Sequence, residues 1–344
     1  MGARVMIMAG GTGGHVFPAL AVAEELRRRG VEVFWLGARG GFETGVVPAA
    51  GFRAEWISIR GLRGKGLRSW LTAPVKVLIA LAQAGRVLRR NRPGLVLGMG
   101  GFVTGPGGVM ARLAGIPLVI HEQNALPGMT NRWLARIATR VLEAFPGSFG
   151  GPGKADLVGN PVRPEIAALA PPRDRMADRK PPRRLLILGG SLGAEALNRV
   201  VPAALALLPP EQRPQVRHQA GRGKEEETAA AYRSAGVAAE VSPFVQEMAE
   251  AYGWADLVIC RAGALTISEL AAAGVGSILV PYPFAVDDHQ TRNAAFLVQA
   301  GAARLVPQAE LSAEGLAGLL RELLSEEGRL LAMATVARSL AKPE

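Results

Sequence analysis

Short apolar runs alternate with longer stretches of helical periodicity along all 344 residues. The apolar runs read as buried strands at 5–9, 31–36, 55–59, 95–98, 118–121 and 140–144. A second set follows at 184–188, 215–219, 239–242, 257–260, 277–280 and 304–306. Helices are predicted at 19–29, 194–208, 265–273 and 291–300. This βαβα rhythm places the chain in the α/β class, with parallel sheets covered on both faces. Both halves open alike, as strand, glycine turn, helix. The proline-rich stretch 161–182 reads as the joint between them. Two similar doubly wound domains are expected, 1–163 and 164–344, facing a cleft at the carboxyl ends of their strands. The tail beyond Leu330 reads as a last helix, with folding back on the first domain as one placement.

Composition narrows the function. Cys260 is the one cysteine, which excludes a disulfide framework and a thiolate metal cluster. The segment MGARVMIM runs straight into a strand, so no signal peptide is expected, and no charge-free apolar run is long enough for a membrane span. The net charge of +11 is one-sided: residues 1–163 hold 21 Lys/Arg against 8 Asp/Glu, and residues 164–344 hold 19 against 21. No acid stands between Glu55 and Glu122. Such a field favours an anionic partner: nucleic acid, an anionic membrane or a phosphorylated substrate. The run 67–90 sets Trp70, Leu71, Val75, Val77, Leu78, Ile79 and Leu81 among basic residues. It reads equally as an interfacial helix on a bilayer or as an ordinary helix covering the sheet. Nucleic acid fits less well, since no recognised binding motif is present and aromatics are 5%.

Chemistry concentrates in the turns after strands. Gly10 to Gly14 and Gly189 to Gly193 each lead into a helix whose first N–H groups suit an anion. Neither loop completes a dinucleotide fingerprint or a P-loop, so another phosphate-bearing ligand is expected. A third cluster puts six glycines in residues 98–108, as the wall of a substrate cleft or as a loop. His121-Glu122-Gln123-Asn124 follows a strand, where a histidine or carboxylate could take a proton from an attacking hydroxyl. Glu269 lies about a turn inside the helix after Gly263, within reach of a ribose diol. No convergent metal-ligand set is evident, and no cofactor is called for.

These motifs, together with 61–66 (GLRGKG), 159–163 (GNPVR), 261–269 (RAGALTISE) and 287–290 (DDHQ), resemble the MurG family of bacterial N-acetylglucosaminyltransferases, over nearly the whole chain. The resemblance implies the GT-B fold, two Rossmann-like domains. It implies a UDP-N-acetylglucosamine donor and an undecaprenyl-pyrophosphoryl-N-acetylmuramyl-pentapeptide acceptor (lipid I), met in peptidoglycan synthesis at the cytoplasmic face of the cell membrane by a peripheral enzyme. Cell-wall assembly proteins are possible partners. By the same resemblance Ser191 contacts phosphate, Arg163 helps hold the nucleotide and Val245 meets uracil through its backbone. Ala264, Leu265 and Thr266 lie at the diphosphate and sugar, with Ile267 and Ser268 beside them. Glu269 binds ribose, and Gln290 and Asn293 read sugar hydroxyls. Thr12, Gly13, Gly14 and Asn124 close over the reacting centre. The chain departs from the usual family pattern at Leu192, Phe102 and Ala262, where glutamine, tyrosine and serine are frequent.

The implied reaction is an inverting displacement. It needs a base for the acceptor hydroxyl and a sink for charge on the diphosphate. His15 is the first candidate base, Glu122 the second and His121 the third. Helix starts after Gly190 and Gly263, with Arg261, supply the sink. Closure of the domains about the joint is expected to exclude water. Another lipid glycosyltransferase of the same fold and a UDP-N-acetylglucosamine 2-epimerase are the alternatives; a non-catalytic membrane scaffold is the remaining one.

Overall fold

A computed structural model describes residues 3–59, 72–151, 153–177, 179–190, 193–326 and 328–342. The motif 61–66, the basic residues Arg60, Arg63, Lys65 and Arg68, the aromatic Trp70 and Leu71, and the loop residues Ser191 and Leu192 lie outside them. The chain divides into two compact units after Pro161.

Unit 1 is built on β1 (Arg4–Met8), β2 (Glu32–Ala38), β3 (Arg53–Ile57), β4 (Leu95–Gly98), β5 (Leu118–Glu122), β6 (Arg140–Glu143) and β7 (Asp156–Leu157). They pair in the order β3-β2-β1-β4-β5-β6-β7, with every register parallel. Because side chains alternate along each strand, the sheet buries two faces. Val5, Ile7, Trp35 and Leu97 pack under helix Gly13–Arg28 and helix Glu43–Ala49. Met6, Met8, Leu36, Val96, Leu118 and Ile120 pack under helices Ala73–Asn91, Thr104–Leu113 and Met129–Leu134. Half of the third glycine cluster is thus helix rather than loop. A Cβ on Gly107 would sit 2.2 Å from the sulfur of Met8, so that helix approaches the sheet closely because it lacks side chains there.

Unit 2 repeats the plan with β8 (Arg184–Leu188), β9 (Gln215–Gln219), β10 (Glu240–Ser242), β11 (Leu257–Cys260), β12 (Gly276–Leu279) and β13 (Ala303–Leu305), ordered β10-β9-β8-β11-β12-β13 and parallel throughout. Much of the proline-rich stretch expected as a joint is built into this unit, as helices Pro164–Ala167 and Pro172–Met176. Arg175 and Arg179 fasten it by donating to the carbonyls of Tyr252, Gly253, Trp254, Ala273 and Gly274. The last helix, Arg329–Ser339, packs on helix Ala264–Ala273 and on β12 of the same unit. Among the described residues no helix is long and apolar enough to cross a membrane.

Candidate active site

In unit 1 the turn after β1 meets the turn after β4. Gly10 N–H donates to Gly100 O at 3.3 Å. Gly101 has φ +88°, and a Cβ there would stand 2.3 Å from Gly10 O, so only glycine lets the two backbones touch. The helix expected at 19–29 begins at Gly13, and His15 therefore lies in its first turn. Thr12 is its N-cap with no side-chain cap bond, which leaves the first-turn N–H groups of Gly13 and Gly14 facing solvent.

Three residues are candidates for the base, His121 and Glu122 at the end of β5 and His15 in the helix after β1, and the structure separates them. Glu122 is buried, and its carboxylate accepts from Asn124 N, Asn124 Nδ2, Gly128 N and Asn131 Nδ2 at 2.9–3.1 Å. His121 is buried too; it donates Nε2–H to Gly159 O at 2.9 Å, and burial holds its pKa below the ordinary histidine range. Both therefore serve to fix the turn. His15 is half-buried, with Nδ1 3.1 Å from Gln123 Oε1. Asn124 is held over this turn by Glu122 and accepts from Ser148 Oγ.

Of two further side chains here, Glu43 carries no functional reading from the sequence, and Gln123 only that of one among the polar groups 121–124 at a strand's carboxyl end. Gln123 is fully buried between His15 and His121. Glu43 is fully buried and accepts from Gly11 N and Ala38 N, tying the turns after β1 and β2 together. A cavity of about 390 Å³ opens beside it, lined by Gly10, Arg39, Gly41, Glu43, Phe102 and Val103 among others.

In unit 2 the carboxyl ends of β8 and β11 carry the corresponding turns. Gln219 grips Gly190 at both polar atoms: Oε1 accepts its N–H at 2.9 Å, and Nε2 donates to its carbonyl at 2.8 Å. The following helix, Glu195–Ala206, already has Glu195 in its first turn. Helix Ala264–Ala273 has no acid in its first turn and no side-chain cap at Gly263, so Ala264, Leu265 and Thr266 offer unfilled N–H donors. Ile267 is buried in the core, and Ser268 Oγ donates to Ala264 O.

Around that helix start the predicted residues converge. Glu269 Oε1 accepts both Arg163 Nε and Nη2, at 3.1 and 2.8 Å. Its Oε2 accepts from Tyr252 O–H at 3.2 Å, and Tyr252 is fully buried, an orienting contact the sequence does not disclose. Gln290 Oε1 accepts from Ala262 N and Tyr282 N, which leaves its amide to donate. Asn293 is fully buried and donates to Ala262 O from behind the turn. Arg261 is spent on the carbonyls of Val280 and Pro281 and on Gln308. Val245 is half-buried in the loop after β10. Cys260 is buried, and burial pushes its thiol up to about 12, so it is inert. Among the described residues no three His, Cys, Asp or Glu side chains are grouped to hold a metal ion.

The sequence matches the glycosyltransferase family 28 N-terminal domain over residues 5–143 and the family's C-terminal domain over residues 184–343. A protein of Marinobacter nauticus, named UDP-N-acetylglucosamine–N-acetylmuramyl-(pentapeptide) pyrophosphoryl-undecaprenol N-acetylglucosamine transferase, is 58% identical over 99% of this chain and 94% of its own length. A protein of the same name from Ectopseudomonas mendocina is 59% identical over 100% of this chain and 96% of its own. The crystal structure of Acinetobacter baumannii MurG matches with a TM-score of 0.89 at 43% identity, covering 99% of this chain and 96% of that one. A kitacinnamycin glycosyltransferase, 17% identical with a TM-score of 0.71 over 100% of this chain and 97% of its own, shares the fold. The chain therefore belongs to glycosyltransferase family 28, among the MurG enzymes, and its two Rossmann-like units are the two domains of a GT-B fold.

Proposed function

We propose that this enzyme transfers N-acetylglucosamine from UDP-N-acetylglucosamine to the 4-hydroxyl of undecaprenyl-pyrophosphoryl-N-acetylmuramyl-pentapeptide, with inversion. The observation that carries the donor half is the uncapped start of helix Ala264–Ala273 beside an oriented Glu269. Free N–H groups suit a diphosphate, and a carboxylate held from two sides suits a vicinal diol. In this reading Ala264, Leu265, Thr266 and Ser191 meet the diphosphate, Glu269 the ribose, and Val245 the base. Arg163 orients Glu269 beside the nucleotide. Gln290 donates to a sugar hydroxyl, and Asn293 supports the turn behind it.

Unit 1 takes the acceptor. His15 is the base, since Glu122 is spent on Asn124 and Asn131 and His121 on the carbonyl of Gly159. The 4-hydroxyl oxygen forms a bond to the anomeric carbon as the bond from that carbon to the β-phosphate oxygen breaks. The hydroxyl proton passes to His15, and the electron pair leaves with UDP. The first-turn N–H groups after Gly263 stabilise that departing charge. Thr12, Gly13, Gly14 and Asn124 line the approach of the acceptor.

The acceptor's lipid tail calls for a peripheral enzyme on the cytoplasmic membrane face. The outer side of helix Ala73–Asn91 exposes Val75, Val77, Leu78 and Ile79, while Ala80, Ala84 and Leu88 face the sheet. This supports reading one helix as both the cover of the sheet and the element that meets the bilayer. Leu113, Met129 and Trp133 are also exposed, on helices Thr104–Leu113 and Met129–Leu134, with Trp133 63% exposed.

The test offers labelled UDP-N-acetylglucosamine with and without a short-chain lipid acceptor. UDP and a disaccharide lipid are expected only with the acceptor. Sugar transferred to diacylglycerol instead, or conversion of the donor to its 2-epimer, would overturn the reading.

A further inference from the structure

The hydrogen bonds around Gln123 admit one assignment of donors and acceptors. Gln123 Nε2 lies 2.9 Å from Met99 O, a pure acceptor, so the amide nitrogen is on that side. Its second hydrogen points to His121 Nδ1 at 3.3 Å. That nitrogen is bare, because the proton of neutral His121 sits on Nε2 and is given to Gly159 O. The backbone of Gln123 is pinned as well, since its carbonyl accepts from Asn160 Nδ2 at 3.0 Å. The oxygen of the Gln123 amide is thereby turned to His15, and it can only accept. His15 Nδ1 must carry a hydrogen. Its ring rests over Gly100, where a Cβ would come within 2.6 Å of Nδ1. Nε2 makes no hydrogen bond among the described residues.

We propose that Gln123 is a positioning residue that fixes neutral His15 in the Nδ1–H tautomer, so that the Nε2 lone pair faces the acceptor hydroxyl. The proposal rests on the reading of His15 as base. During transfer the hydroxyl proton moves to Nε2, giving an imidazolium that keeps its Nδ1–H bond to the amide oxygen. No proton passes through Gln123, because an amide oxygen is far too weak a base. Water takes the proton from Nε2 after the products leave. The amide therefore orients the ring without the charge that a carboxylate partner would bring.

The test uses the full chain labelled with ¹⁵N-histidine. The protein has four histidines, and His15 is assigned by the resonances lost in His15→Ala. At about pH 8, above the ordinary histidine range, His15 is expected to show a protonated Nδ1 and a bare Nε2. In Gln123→Met it shifts toward the Nε2–H form, and kcat falls by about 10²-fold with donor KM within about twofold. An Nε2–H tautomer in the wild-type protein overturns the proposal without need of any variant, as does an unchanged tautomer in a folded Gln123→Met. A His15→Ala enzyme with undiminished kcat, beside the expected tautomers, removes His15 as base and leaves the positioning intact.

Discussion

Glu269 is held from both sides, by Arg163 on one oxygen and by the Tyr252 hydroxyl on the other. Burial, and then the carboxylate itself, raises the Tyr252 pKa, so the phenol stays a donor at any working pH. Removing that donor should free the carboxylate to turn without opening a cavity. For Tyr252→Phe we expect donor KM to rise about tenfold, the scale of one hydrogen bond to a charged group, with kcat nearly unchanged. The penalty for a 2′-deoxyribose donor should shrink in the same variant, whereas a general loss of structure would weaken both donors alike. Gln290 supports a second prediction. Glutamate at this position can still accept from Ala262 N and Tyr282 N, but it has no hydrogen for a sugar. Gln290→Glu should keep the wild-type Tm and lose between about 10- and 100-fold in kcat/KM; unchanged kcat/KM would remove the residue from sugar reading. The sequence points to Glu269 through its place in the helix after β11, and to Gln290 only through the family resemblance of 287–290. It does not single out Tyr252 or Glu43, and it gives Gln123 only as a member of the polar run 121–124. Their roles depend on what lies opposite, across 17 residues for Tyr252, 108 for Gln123 and up to 32 for Glu43.

At the scale of elements, β1, β2, β8 and β11 are legible because four successive apolar residues fit a strand buried on both faces. β7, with two residues exposed at the sheet edge, has no such signal and exists by pairing with β6. The helix at Gly13–Arg28 begins six residues before its apolar periodicity starts. Gly13, Gly14 and Pro18 carry poor helix propensity, so the sequence gives no helix signal there. In unit 2 a buried histidine joins three elements: His218 on β9 bonds Tyr232 at 2.9 Å and Asn198 at 3.0 Å, each on a different helix. Burial pushes its pKa down to about 3. The unfolded chain takes up this proton near pH 6.5, and the folded one does so only near 3. Between those values the unfolded state binds more protons, so stability falls as pH falls, by at most about 1.4 kcal/mol per pH unit. Thermal melts of unit 2 should track this slope through the window. His218→Leu should lower Tm at every pH, since Asn198 and Tyr232 lose their partner, and should also flatten the slope. A slope identical to wild type would assign the acid sensitivity to other groups.

For the whole molecule, the proposed membrane partner would draw on both the charge asymmetry and the exposed apolar side chains. Residues 1–163 carry an excess of 13 positive charges, and residues 164–344 are nearly balanced. The basic half also exposes Leu78, Leu113 and Trp133, at 65%, 74% and 63% of their surface. Either feature alone is weak: a few apolar side chains give marginal partitioning, and a positive field without insertion is screened within about 8 Å at physiological salt. Together they give the two signals that stable peripheral binding requires. The full chain should therefore partition onto anionic vesicles, bind neutral ones poorly, and dissociate as salt is raised. Leu78→Glu combined with Trp133→Glu removes two inserting groups and adds two like charges to the anionic surface. Since each added charge near such a surface is worth about 1 kcal/mol, partitioning should weaken by at least about 30-fold. Both side chains are exposed, so the fold should be untouched, and transfer to a short-chain acceptor in solution should proceed at the wild-type rate. Transfer to a long-chain acceptor embedded in vesicles should collapse in the same variant. Equal vesicle binding by variant and wild type would move the membrane-facing surface elsewhere on the molecule, and equal loss with both acceptors would mean the substitutions had damaged the catalytic site instead.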